Sequence, residues 1–175
     1  MRYSVFVSLF FSLVIISCGQ QGNDKPKASD SESNTIKIQQ HIQKEETSTT
    51  DKNAVTIRLG STDEMLFDKT EIKVKQGQQV TLILIHQGKL PKNIMGHNFV
   101  LLKKGVDPID FGQRAASARD TEYIPEGNEF IVHTKLIGGG EQTTIRFAAP
   151  EKGVYDYICS FPVHYALMKG KFIVE

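Results

Sequence analysis

The sequence predicts an all-β fold, a Greek-key antiparallel β-sandwich with one inserted short helix, and three observations carry that prediction. From Val55 onward, short runs of β-branched and aromatic residues are broken by Gly, Pro, Asn and Asp, which is how strands and turns punctuate a chain. The run Glu71-Ile72-Lys73-Val74-Lys75 alternates cleanly, as a strand with one wet face must, whereas residues 80–85 are apolar apart from Thr81 and suit a central strand. Eight such runs fill about 120 residues, a density that points to two packed sheets.

Taken in order, the chain opens on Met1-Arg2 and an apolar run from Val5 to Ile16, the charged-then-apolar order of an export signal. The run is too short for a comfortable membrane span. It ends in Ile15-Ile16-Ser17-Cys18-Gly19, which resembles the bacterial lipoprotein signal: residues 1–17 are then a leader and Cys18 is the lipidated anchor. Residues 18–54 are rich in Gln, Ser, Thr and charge and hold no aromatic residue, so they cannot bury enough surface to order themselves. They read as a tether, with a reach of roughly 33 Å as a flexible coil. Fully extended, the same segment spans about 120 Å.

Residues 55–175 form the expected folded domain. Strands are expected at 55–59, 71–75, 80–86, 98–103, 129–136, 143–148, 153–159 and 169–174, with turns at 75–78 and at Gly138-Gly139-Gly140. Residues 110–120 carry Ala115, Ala116, Ala118 and two arginines and lack β-branched side chains, so the inserted helix belongs there. The glycine triplet lies between strands and precedes no helix, which makes it a hairpin turn and not a phosphate cradle.

Composition narrows the function classes. The chain has 175 residues, 21 basic and 20 acidic, for a net charge of +1, which gives no reason to expect a nucleic-acid partner. Its two cysteines, Cys18 and Cys159, sit in contexts too different to pair. An exported chain with an unpaired Cys159 faces an oxidising compartment, where a bound metal is one way to occupy the thiol.

The chemistry concentrates in Cys159-Ser160-Phe161-Pro162-Val163-His164-Tyr165-Ala166-Leu167-Met168. Three potential ligands lie within ten residues, on a loop between two strands that can turn them toward one point. Pro162 stiffens it. Thiolate, thioether and imidazole together suit copper in both oxidation states, and two His, one Cys and a weak axial Met form the blue-copper electron-transfer arrangement. The second histidine must come from elsewhere, and His97 in Met95-Gly96-His97-Asn98 is the candidate, with Gly96 permitting close backbone approach. No paired carboxylates and no nucleophile-base pair stand out, so the chain is expected to be no enzyme. The rival reading is a copper store or delivery module at the envelope; a structural zinc site is weaker, since thioether is a poor zinc ligand.

Gly88-Lys89-Leu90-Pro91-Lys92-Asn93-Ile94-Met95-Gly96-His97-Asn98 together with the Cys159–Met168 loop resembles the azurin family, with auracyanin close in pattern. The likeness extends over most of residues 55–175, including Met65 and His133-Thr134-Lys135-Leu136-Ile137-Gly138. The resemblance implies a cupredoxin-like domain with one copper per chain, cycling between Cu(I) and Cu(II). It also implies His97, Cys159 and His164 as equatorial ligands, Met168 axial, and the Gly96 carbonyl opposite. Asn98 and Ser160 would link the two ligand segments, with amide donors near the Cys159 sulfur. Redox partners such as c-type cytochromes would dock on an apolar patch around His164, formed from among Leu90, Ile94, Met95, Phe161, Val163 and Ala166. The expected state is a monomer at the bacterial cell envelope, lipid-anchored, with its head in the periplasm or at the outer-membrane surface.

The sequence departs from azurin in four respects: it has no cysteine pair for a disulfide, no Trp, with Phe99 after Asn98, Val163 at a position usually held by glycine, and a lipoprotein-like signal with a tether. Of the other histidines, His86 reads as a capped or partly buried residue near the site, His133 as a surface residue, and His41 lies in the tether.

Overall fold

A computed structural model of the protein describes residues 53–175. The leader, Cys18 and the tether up to residue 52 lie outside the described residues. Eight strands run in the order β1 (Ala54–Ser61), β2 (Glu71–Val74), β3 (Gln79–His86), β4 (Val100–Leu102), β5 (Phe130–His133), β6 (Gln142–Ala148), β7 (Gly153–Ile158) and β8 (Lys169–Val174). They form a three-stranded sheet ordered β1-β3-β6 and a five-stranded sheet ordered β2-β8-β7-β4-β5.

The predicted sandwich is present, and its pairing is mixed. β1 pairs with β3 and β2 with β8 in parallel, while the remaining pairs are antiparallel. The cause is the path of the chain: β2 crosses to the other sheet between β1 and β3, so β1 and β3 meet as crossover neighbours and not as a hairpin. β3 is central in its sheet, as its apolar run requires, with Val80, Leu82, Leu84 and His86 turned inward.

Two strands are shorter than the sequence pattern implies, and both are cut at the same place. β4 begins only at Val100 because Asn98 bonds to Ser160 instead of continuing the ladder. β5 ends at His133 because the Thr134 hydroxyl accepts the Phe99 amide at 2.9 Å, and His97 then pairs with Ile137 as an isolated bridge.

The inserted helix, α2, spans Pro108–Ala115 and starts two residues earlier than expected. Asp107 caps it by accepting from the amides of Ile109 (2.7 Å) and Asp110 (3.0 Å), and Pro108 fits the first turn, where no amide is needed. A single-turn helix, α1 (Lys92–Met95), precedes His97, and a 3₁₀ turn at His164–Ala166 lies in the Cys159–Met168 loop.

The core between the sheets is built from Leu59, Leu82, Leu84, Phe99, Leu101, Tyr157 and Phe172, all fully buried. No indole fills its centre. Tyr157 does so, with its ring 5.2 Å from Phe99 and 5.8 Å from Phe67, and its hydroxyl donates to the Lys69 carbonyl. Burying an aromatic or large aliphatic side chain contributes about 1.5–3 kcal/mol, so this packing stands in for the absent disulfide. No helix among the described residues is long and apolar enough to cross a membrane.

Candidate metal centre

Two separate stretches of backbone converge at one end of the sandwich. His97 is fixed by reciprocal bonds with Ile137, each 2.9 Å from amide to carbonyl. The loop that carries the other candidates is pinched at its neck, where the Cys159 amide donates to the Met168 carbonyl at 2.9 Å, and braced inside, where the Met168 amide donates to His164 at 2.7 Å. Asn98 then joins the two stretches: its carbonyl oxygen accepts the Ser160 amide and its amide nitrogen donates to the Ser160 hydroxyl, both at 2.8 Å. All of these groups are buried.

The result brings Cys159 Sγ to 3.9 Å from His97 Nδ1 and 3.7 Å from His164 Nδ1, with the two nitrogens 3.2 Å apart. Three ligands at 120° around an ion, at bond lengths of about 2.0 Å to nitrogen and 2.3 Å to sulfur, would stand about 3.5 Å (N to N) and 3.7 Å (N to S) apart. The observed triangle therefore matches a trigonal ion site to within a few tenths of an ångström. Met168 is fully buried in the same region, and the Gly96 carbonyl lies 3.8 Å from the Cys159 sulfur. Gly96 has to be glycine for reasons of space: a Cβ there would collide with the Lys92 carbonyl, Leu136 and Phe161.

Protonation also favours a cation. The His97 Nε2–H donates to the Thr62 carbonyl at 2.9 Å, which places the proton away from Nδ1 and leaves that lone pair facing inward. Burial lowers both ligand histidines to about 4, His164 with help from the neighbouring His97, so the rings stay neutral. Burial pushes the Cys159 thiol up to about 12, against the pull of the Asn98 and Phe161 amides toward its sulfur. A thiolate here needs a positive charge beside it, and the site offers a place for one.

His86 goes further than a capped histidine. It is fully buried and stacks on His97 with ring centroids 4.3 Å apart and planes 24° off parallel. Its Nε2 donates to the Met95 carbonyl at 2.8 Å, and its Nδ1 accepts the Gly88 amide at 3.0 Å. His133 is exposed, as expected. Two residues of the site carry no signal in the sequence: Thr62, which orients His97, and Asp63, which accepts the Lys89 amide at 2.8 Å and lies 3.8 Å from His86. The Lys89 amide holds the Asp63 carboxyl below its ordinary range. No spacing rule points to either residue; only the fold brings them in.

Leu90, Ile94, Val163 and Leu167 are exposed large apolar side chains, and Ala166, next to Leu167, is exposed as well. Met95 is half-buried and Phe161 buried, so these two expected patch residues belong to the packing beneath. His164 is itself only 2% exposed, yet its Nε2 makes no hydrogen bond within the protein. No side-chain nitrogen or oxygen hidden from solvent lacks a partner among the described residues, so this ring edge reaches the surface.

A β-sandwich with a buried His-Cys-His triangle beside a methionine defines a small copper-binding redox carrier. The comparisons agree. A sequence profile described as copper binding proteins of the plastocyanin/azurin family matches residues 53–175, and the chain belongs to that family. It is 42% identical over 120 residues to azurin-1 of Alcaligenes xylosoxydans, covering 66% of this chain and 93% of that one. Azurin of Pseudomonas fluorescens biotype C is 41% identical, covering 65% and 93%. Among solved structures, auracyanin A of Chloroflexus aurantiacus, a "blue" copper protein, superposes with a TM-score of 0.65 at 36% identity, over 70% of this chain and 99% of that one. Auracyanin of Roseiflexus castenholzii gives 0.63 at 32%, over 69% and 96%. The chain is an electron-transfer protein of the blue-copper kind, not an enzyme, and its cofactor is copper.

Proposed function

We propose that His97 Nδ1, Cys159 Sγ and His164 Nδ1 would hold one copper, with Met168 and the Gly96 carbonyl as weaker donors beside it. The observation that carries this reading is the donor triangle, whose three edges fit a single trigonal ion. Copper supplies the one-electron couple, Cu(II)/Cu(I). The protein's residues keep the donors at fixed separations, exclude water and direct two amides at the sulfur. Electrons pass through the His164 edge, where Leu90, Ile94, Val163 and Ala166 offer an apolar surface for weak docking of redox partners such as c-type cytochromes. The protein acts as a monomer at the bacterial cell envelope, with lipid on Cys18 anchoring it and residues 18–54 as the tether. The donor chemistry supports this reading over copper storage: one closed mononuclear site with no Met-rich or His-rich tract leaves little capacity to store.

The test is the absorption spectrum of residues 53–175 titrated with Cu(II). An intense visible band from thiolate-to-copper charge transfer, bleached by a reductant and restored by an oxidant at a stoichiometry of one, is the expected result. Tight but colourless binding, or zinc retained against excess copper, would overturn it.

A further inference from the structure

We infer that helix α2 positions the ligand loop: Tyr165, the residue after His164, seats its ring in a notch that Gly112 leaves on the helix, and this contact holds His164 in place before any metal binds. The inference deepens the assignment of His164 as a ligand and rests on it.

The notch is a matter of volume. Gly112 is the buried fifth residue of α2, and a Cβ added there would fall on the first atoms of the Tyr165 ring, so the ring fills the space that a side chain at 112 would need. A collision that close to Cβ of Tyr165 cannot be relieved by bending a flexible tip; the whole ring has to leave.

The helix is itself rigidly held. Its Asp107 cap and Pro108 start fix one end. Phe111 and Ala115 are buried in a second core with Val100, Leu102, Ile124 and Ile158, and Tyr165 packs against that same cluster. Arg114 makes two bonds to Glu129, which leads into β5, the longer of them 2.9 Å. Ile158 directly precedes Cys159, so this core touches the ligand segment from below as well as from the side.

The outer half of the loop has few other ties. The amides of His164, Ala166, Leu167 and Met168 bond only to carbonyls of the loop itself, and Val163, Ala166 and Leu167 are exposed. Phe161 secures one flank, with its ring 5.0 Å from Tyr123 and 4.7 Å from His164. Tyr165 is the side chain that secures the other. Between them sits Val163 at φ 64°, a conformation a β-branched residue keeps only where its surroundings over-determine it. A loop clamped on both flanks can impose that conformation; a loop held on one flank relaxes out of it.

The experiment is amide hydrogen exchange by NMR on the metal-free domain, comparing Tyr165→Ala, Gly112→Ala and Tyr165→Phe. Alanine favours helix over glycine, so Gly112→Ala leaves α2 itself intact and acts through the displaced ring. Both alanine variants should raise exchange at the amides of residues 164–168 at least about tenfold, equivalent to roughly 1.4 kcal/mol of lost local stability, with β3 and β6 amides unchanged. Tyr165→Phe should behave as wild type. The contact is not a positioning device if loop amides exchange at wild-type rates in either alanine variant, or if strand amides accelerate equally. Because no metal is present, the outcome is independent of whether the copper spectrum appears.

Discussion

Replacing Asn98 by alanine should cost the metal-free domain far more than the loss of one polar side chain at a surface. Asn98 and Ser160 are both fully buried, and two bonds of 2.8 Å join them. Each such bond contributes about 0.5–1.5 kcal/mol net, and the Ser160 amide left without an acceptor adds about 1–3 kcal/mol of uncompensated desolvation. The space vacated by the carboxamide has its own cost. The bonds and the amide together give a destabilisation of roughly 2–6 kcal/mol before the vacated space is counted, large against the 5–15 kcal/mol typical of a domain. The assay is urea unfolding with an unchanged slope and a lowered midpoint, with the exposed Asn93→Ala as the control that should lie within about 0.5 kcal/mol of wild type. A loss below about 1 kcal/mol would mean that the two ligand segments are joined by packing alone, and the account of how they converge would be wrong.

The remaining predictions concern pH and strain. The metal-free domain should lose stability as pH falls from 6.5 toward about 4, because His97 and His164 take up protons in the unfolded chain while burial keeps them neutral in the folded one. Each then contributes a slope of up to roughly 1.4 kcal/mol per pH unit, visible as a falling urea midpoint, and a flat profile over that range would contradict the neutral rings. The sign reverses for Cys159: its thiol stays protonated when folded but ionises from about 9 when unfolded, so stability should also fall above that pH and recover in Cys159→Ala. Val163→Gly should raise thermal stability, since a left-handed φ costs a valine roughly 1–2 kcal/mol while its side chain is 67% exposed and loses little burial. A lower melting temperature would show that Val163 packs more than it strains.

Most of the fold was legible because strand signals are local. Alternation at residues 71–74 and the apolar run of β3 located those strands to within a residue. What failed was the extent of β4 and β5, and for one reason: at their ends, side chains of Asn98 and Thr134 take over backbone partners from the ladder, and no propensity registers such a trade. The parallel pairs were hidden because which strands become neighbours depends on the chain crossing between sheets, and that is not written in any single run. At the centre, Cys159, His164 and Met168 could be read from spacing within one loop, and His97 from its Gly-His-Asn setting. Thr62 could not be read at all, since it acts through a backbone carbonyl that any residue type could supply, and Asp63 could not because its carboxylate meets the Lys89 amide only through the fold, 26 residues along the chain.

The same burial that makes the site hard to ionise determines which charge state it prefers once filled. With the ligand set proposed, a thiolate beside Cu(II) and two neutral imidazoles has net charge +1, and beside Cu(I) it has zero. Placing residual charge in a buried pocket costs more than placing none, so burial of His97, Cys159 and His164 favours the reduced form. The Asn98 and Phe161 amides act in the same direction: by drawing on the lone pairs of the Cys159 sulfur they weaken its donation to the oxidised metal. Met168, a weak neutral donor, adds no charge to offset either effect. Copper held on these ligands would therefore be favoured in its reduced form, and the Asn98-Ser160 link serves that pocket by joining the two segments that build it.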